Sequence, residues 1–164
     1  MAHYVIEKLT DALNEHGKAI NGAKVLVLGL AYKPDIDDPR ESPSFEIISL
    51  LLQRGAEAYH HDPYIPVSPR MRSWPSLPRL ESIPLTPETL GSQDAVIIST
   101  NHSQLDYDLV LAESDLVIDT RGVYPTEAEK VCKGQSLHDR VQVLIRKPHN
   151  VCRVHSDFEA IGES

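Results

Sequence analysis

Two segments of this 164-residue chain put cations where an apolar run ends, and both have the makings of an anion site. In the first, GLAYKPDIDDPRESPS (residues 29–44), Lys33 and Arg40 flank an acidic cluster of Asp35, Asp37, Asp38 and Glu41. In the second, DTRG (residues 119–122), Arg121 follows the apolar run LVI. A guanidinium grips a phosphate through two parallel N–H donors, and a lysine ammonium adds a compact point charge. Lys33 and Arg121, brought from different strands to one crevice of an acidic protein, would hold an anion such as a phosphate. Against this stands the ordinary reading of a charged loop after a strand, a solvated connection.

Other chemistry has less behind it. Residues 29–44 contain the single glycine Gly29, whereas a dinucleotide fingerprint needs three and a P-loop its own glycine spacing. Asp35, Asp37 and Asp38 resemble calcium ligands in type, without the glycine and terminal glutamate of an EF-hand. His60, His61 and Asp62 suggest zinc, but adjacent residues of a strand point to opposite faces, so the two imidazoles do not share a metal easily. Cys132 stands among Lys130, Lys133 and Gly134 with no partnered base, which reads as a spectator thiol. His102 follows the run DAVIIST and either touches a ligand or caps backbone. Arg140, Arg146, Lys147 and Arg153 read as a solvated face.

These residues must be positioned by an alternation of strands and helices. Residues 4–16 form an amphipathic helix with Val5, Leu9, Ala12 and Leu13 on one face, and Gly17 stops it. KVLVLGL (residues 24–30) has the continuous apolar character of a strand buried on both faces. Ser42 and Pro43 serve as N-cap and first residue of a helix carrying Phe45, Ile48, Leu51 and Leu52 inward and stopped by Gly55. A short strand follows at residues 56–60. Seven prolines between residues 63 and 87 remove too many N–H donors for regular structure, leaving a long surface loop with at most a short strand near 80–83. A short helix starts at Thr86, DAVIIS (residues 94–99) is a buried strand, a helix covers about 106–113, and residues 116–119 form a fourth strand. The fold class is α/β, a three-layer Rossmann-like architecture around a mostly parallel sheet. Beyond Pro125 the alternating Val141, Val143 and Ile145 can add an edge strand.

Composition excludes whole classes. With 16 basic and 24 acidic residues the net charge is −8, a field that repels nucleic acid and anionic membranes. No apolar run reaches the roughly 20 residues of a membrane span, and residues 1–18 lack a signal-peptide core. Two cysteines make no disulfide framework, so the expected compartment is the cytoplasm.

Four stretches together resemble the C-terminal, UDP-binding domain of the UDP-glucose/GDP-mannose dehydrogenase family: INGAKVLVLGLAYKPDIDDPRESPSFEII (residues 20–48), YHHDPYIP (59–66), DAVIISTNHSQLD (94–106) and LVIDTRGV (116–123). The family oxidises C6 of a nucleotide sugar from alcohol to acid with NAD, using a glycine-rich NAD motif and a catalytic cysteine that precede the stretches matched here. The resemblance implies that Tyr32 and Lys33 contact the nucleotide sugar and that Arg121 holds the uridine diphosphate. It further implies that Arg40 reaches NAD bound on another domain, and that no catalytic or metal-binding residue lies in these 164 residues. By this reading residues 1–20 end a central-domain helix, 21–124 are the nucleotide-sugar domain, and 125–164 are a tail. The wording of the first stretch is closest to enzymes of UDP-N-acetyl-hexosamines, with UDP-glucose second. The implied partners are a UDP-sugar, the rest of a dehydrogenase chain and a second copy, because an opening helix without its central domain would expose Val5, Leu9 and Leu13 and favour a homodimer. The alternative is a free-standing nucleotide-binding or regulatory module.

Overall fold

The computed structural model describes residues 2–124 in full and the backbone of 131–132 and 142–145. In chain order the elements are α1 (Ala2–Glu15), β1 (Lys24–Leu28), α2 (Pro43–Gln53), β2 (Glu57–His61), α3 (Pro87–Ser92), β3 (Ala95–Ile98), α4 (Tyr107–Glu113), β4 (Leu116–Asp119), β5 (Val131–Cys132) and β6 (Gln142–Ile145). The sheet order is β2-β1-β3-β4-β6-β5. The first four strands are parallel, and β6 runs antiparallel to both β4 and β5. The alternation expected near residues 141–145 therefore does form a strand, but β6 lies inside the sheet and β5 takes the edge. The side chain of Cys132 and the residues Cys152, Arg140, Arg146, Lys147 and Arg153 lie outside the described residues.

Alternation along each strand divides the core into two layers. Val25, Val27, Ala95, Ile97, Leu116 and Ile118 face α1 and α2, where Val5, Leu9, Leu13, Phe45, Ile48 and Leu51 meet them. Leu26, Leu28, Val96, Ile98 and Val117 face the other way, onto Leu90 of α3 and Val110 of α4. A strand covered on both sides needs apolar residues at every buried position, which accounts for the unbroken VLVL after the exposed Lys24.

Local signals set the helix ends. The Ser42 side chain accepts the Ser44 amide and Pro43 opens α2. Thr86 and Thr89 form a reciprocal cap on α3, and Asp106 caps α4. Helix α2 ends as sequence predicts: the Gly55 and Ala56 amides donate to the Leu52 and Leu51 carbonyls in a Schellman motif. The proline-rich stretch is irregular but attached, through bridges of Ser82 to His60 and Glu81 to Val67.

One expectation is overturned. The apolar face of α1 is covered within this chain: Val5 and Leu9 are fully buried and Leu13 is 1% exposed, packed against α2 and the sheet. The exposed stripe that would favour self-association does not exist, because the space beside α2 over the sheet is filled by α1 itself.

Candidate functional site

The four parallel strands end level with one another. His61, Leu28, Ile98 and Asp119 stand in one row across the sheet, paired His61 to Leu28, Leu28 to Ile98 and Ile98 to Asp119. The loops that leave this row therefore share the carboxyl edge, where open α/β sheets bind ligands. They carry Tyr32, Lys33 and Arg40 after β1, Asp62 after β2, His102 after β3 and Arg121 after β4.

The β1 loop leaves its strand at Gly29, whose φ is +88° and where a β-carbon would run into Thr100. Its first turns are tied to the β3 end: the Thr100 hydroxyl donates to the Ala31 carbonyl at 2.6 Å, and Ser44 Oγ bridges the Gly29 carbonyl at 2.7 Å and Ser99 Oγ at 2.6 Å. The Tyr32 amide donates to the Asp38 carbonyl at 2.8 Å and closes the loop on itself. Tyr32 and Lys33 thus project from a ring of backbone. Tyr32 is 44% exposed, and Lys33 Nζ lies 5.8 Å from the centre of its ring, a weak cation–π contact at the surface.

Arg121 is held from two sides. Its amide donates to Asp119 Oδ1 at 2.9 Å, and its side-chain Nε donates to the Ser99 carbonyl at 2.7 Å. The Asp119 carboxylate is fully buried and also accepts the Tyr124 amide at 3.1 Å, so residues 119–124 wrap around it. Burial pushes that carboxyl above the ordinary aspartate range despite these amides. With Nε spent on Ser99, the two Nη groups are the donors a phosphate would meet. Ser99 therefore joins the two predicted anion ligands: its carbonyl holds Arg121 and its hydroxyl, through Ser44, holds the start of the Lys33 loop.

Arg40 is in the same loop as Lys33 but engaged differently. Its Nε and Nη2 donate to the two oxygens of Asp38 at 2.9 and 2.8 Å, a bidentate pair with the arginine 81% exposed. These hydrogen bonds, helped by the Arg40 charge, hold the Asp38 carboxyl at about 2.

Sequence reasoning missed the best-connected side chain of the edge, Asp62. It is 2% exposed. Oδ2 accepts the Leu30 amide at 2.7 Å, the Ala31 amide at 3.3 Å and His102 Nε2 at 2.9 Å, while Oδ1 accepts the Tyr64 and Ile65 amides at 2.8 and 3.1 Å. Burial alone would raise its pKa, but the bonds from His102, Leu30 and Tyr64 outweigh burial and hold it below the ordinary range. The available signal was the dipeptide Asp62-Pro63 at a strand end, where an aspartate commonly accepts amides two and three residues on. His102 is fully buried and takes the backbone-capping role: its Nδ1 accepts the Asp35 amide at 2.9 Å, so Nε2 carries the hydrogen given to Asp62. The neighbouring imidazoles part company, as strand alternation requires. His60 is buried with Nε2 3.2 Å from the Ile65 carbonyl, and His61 Nδ1 lies 2.7 Å from the Ile83 carbonyl.

Comparison with known proteins places the chain in a family. A family model described as the UDP-glucose/GDP-mannose dehydrogenase family, UDP binding domain, matches residues 26–126. A UDP-glucose 6-dehydrogenase of Haloferax volcanii is 31% identical over 120 residues, and a UDP-N-acetyl-D-mannosamine dehydrogenase of Escherichia coli K12 is 32% identical over 120. Each alignment covers 71% of this chain and 27% of the relative, so the chain spans about a quarter of the length of these curated relatives. Among solved structures, an NDP-N-acetyl-D-galactosaminuronic acid dehydrogenase of Methanosarcina mazei Go1 superposes with a TM-score of 0.55 at 29% identity, over 69% of this chain and 22% of that one. The β1-to-β4 sheet, the level strand ends and the matched residues that build them make this chain a member of the UDP-glucose/GDP-mannose dehydrogenase family, through its UDP-binding domain.

Proposed function

We propose that the carboxyl edge binds the diphosphate of a UDP-sugar, with Lys33 and Arg121 as its cations and Tyr32 beside the sugar nucleotide. The observation that carries this reading is the placement of Arg121: Nε is locked to Ser99, and Ser99 is linked to the loop that presents Lys33. The reaction served is the NAD-dependent oxidation of a UDP-sugar at C6, in a cytoplasmic polysaccharide-precursor enzyme. A UDP-N-acetyl-hexosamine is the preferred substrate and UDP-glucose the second, in line with the sugars that the Escherichia coli and Haloferax relatives are named for. Binding energy from the non-reacting diphosphate would serve to orient C6 for chemistry elsewhere in the enzyme.

The described residues do not fit a resident NAD. The β1-to-α2 connection has Gly29 alone in place of a three-glycine turn, and the start of α2 is closed by the Ser42 side chain and Pro43. Arg40, the residue assigned to NAD by resemblance, is exposed on the loop and paired with Asp38. The 164-residue chain is therefore expected to bind UDP without reducing NAD. A stand-alone nucleotide-binding module is the second reading, favoured by α1, which covers the core within the chain. NADH formation from a UDP-sugar by this chain would sink both the inactivity and that module.

Calorimetric titration with UDP, UDP-sugars, GDP and NAD tests the proposal. Uridine nucleotides should bind best, and Lys33→Ala and Arg121→Ala should each weaken UDP by roughly tenfold or more, the loss of a charge-assisted contact. NAD binding alone, or UDP affinity unchanged in both variants, would remove the site.

A further inference from the structure

Tyr32 and Lys33 lie on a short stretch of chain whose two ends are held by one buried pair. On the near side, the amides of Leu30 and Ala31 donate to Asp62 Oδ2 at 2.7 and 3.3 Å. On the far side, the Asp35 amide donates to His102 Nδ1 at 2.9 Å, and His102 Nε2 returns to the same Asp62 oxygen at 2.9 Å. Asp62 and His102 are both out of solvent contact at their side chains, while residues 32–35 are exposed. The exposed stretch therefore stands on a dry, charge-assisted anchor, a setting in which such hydrogen bonds are strongest.

The far end is also the strained one. Asp35 adopts φ +61°, a left-handed conformation that a non-glycine residue takes up only when its surroundings hold it there. Besides the bond from its amide to His102, its carboxylate accepts the Ser103 amide at 2.8 Å and the Ser103 hydroxyl at 2.9 Å. His102 itself is fixed in place: its ring packs on Tyr64 with centroids 5.0 Å apart, and its carbonyl accepts the Tyr107 hydroxyl at 2.8 Å. The turn that aims Lys33 is thus set by groups from the ends of β2 and β3, of which Asp62 and His102 are buried and Ser103 is exposed.

We propose that Asp62 and His102 are positioning residues for anion recognition: they pin both ends of the 32–34 segment, so that Lys33 meets a diphosphate from one backbone geometry. The inference rests on the reading of Lys33 as a diphosphate ligand. Neither residue touches the ligand; both act through the loop. Substitutions at His102 separate its two bonds. In His102→Asn the side-chain oxygen can still accept the Asp35 amide, whereas His102→Gln keeps only the reach toward Asp62.

The test is a double-mutant cycle on UDP affinity by calorimetry, with thermal unfolding of each variant recorded beside it. His102→Gln should weaken UDP roughly tenfold when Lys33 is present and less than about twofold in the Lys33→Ala background, since groups coupled through one backbone segment are non-additive. His102→Asn should recover most of the loss. Equal losses in both backgrounds would assign His102 to general stability and overturn the inference. A wild-type chain that does not bind UDP would overturn the diphosphate reading itself, a different and recognisable failure. Native-state hydrogen exchange on the wild-type chain needs no variant: the Asp35 amide, although on an exposed residue, should exchange slowly, and rapid exchange would also overturn the anchor.

Discussion

Replacing Asp62 by asparagine removes one negative charge and changes almost no volume, so the outcome reports hydrogen bonding directly. The carboxylate accepts five hydrogen bonds, three at Oδ2 and two at Oδ1. Asparagine offers one acceptor oxygen. Its best orientation keeps that oxygen on the Leu30, Ala31 and His102 donors and turns its NH₂ toward the Tyr64 and Ile65 amides, leaving two N–H groups facing a donor. Each unsatisfied buried donor costs about 1–3 kcal/mol, so the substitution should destabilise the fold by about 4 kcal/mol, a large part of a typical 5–15 kcal/mol total. Urea unfolding near neutral pH would measure it. The pH dependence supplies a second check. The Asp62 pKa is lowered in the folded chain, so its stabilisation is present above the unfolded value and lost as pH falls through the folded one. The gap between wild type and Asp62→Asn should therefore be constant near neutrality and shrink below a pH of about 4. A cost under about 1 kcal/mol, or a gap indifferent to acid, would refute the account of Asp62 as the hub of this edge.

Three further substitutions probe separate features of the fold. Leu9→Ala should cost about 2–5 kcal/mol in thermal or chemical unfolding, since Leu9 is fully buried on the inward face of α1, and a near-neutral result would return that helix face to solvent. Gly29→Ala should destabilise by about 3 kcal/mol or more: φ is +88°, and a β-carbon there would come within 2.5 Å of Thr100 Cβ and 2.8 Å of its carbonyl oxygen. Wild-type stability in that variant would mean that the β1 and β3 ends stand farther apart. Arg40→Ala should raise the Asp38 midpoint from about 2 toward the ordinary aspartate range in an NMR titration, and an unmoved midpoint would show that Arg40 does not set it.

Much of this molecule is legible before folding because the deciding interactions are local. The runs that became β1, β3 and β4 are apolar at consecutive positions, and only a strand covered on both faces asks for that. Ser42-Pro43, Thr86-Pro87 and Gly55 mark helix ends through contacts a few residues away. Given alternating strands and helices, the parallel order follows, and with it the shared edge of Lys33 and Arg121.

Tertiary structure alone decided the rest. Asp62 meets Leu30, 32 positions before it, and His102, 40 positions after it, and no local pattern encodes such pairings. Strand alternation alone already argues against a shared metal at His60-His61-Asp62, but only the tertiary structure shows that the acid bonds to the loop after β1. The burial of Val5, Leu9 and Leu13 is of the same kind: amphipathicity says that a face must be covered but not by what. Composition and periodicity act over a few residues and so determine elements. The site is made where strands distant in sequence end side by side, and that depends on how the whole chain packs.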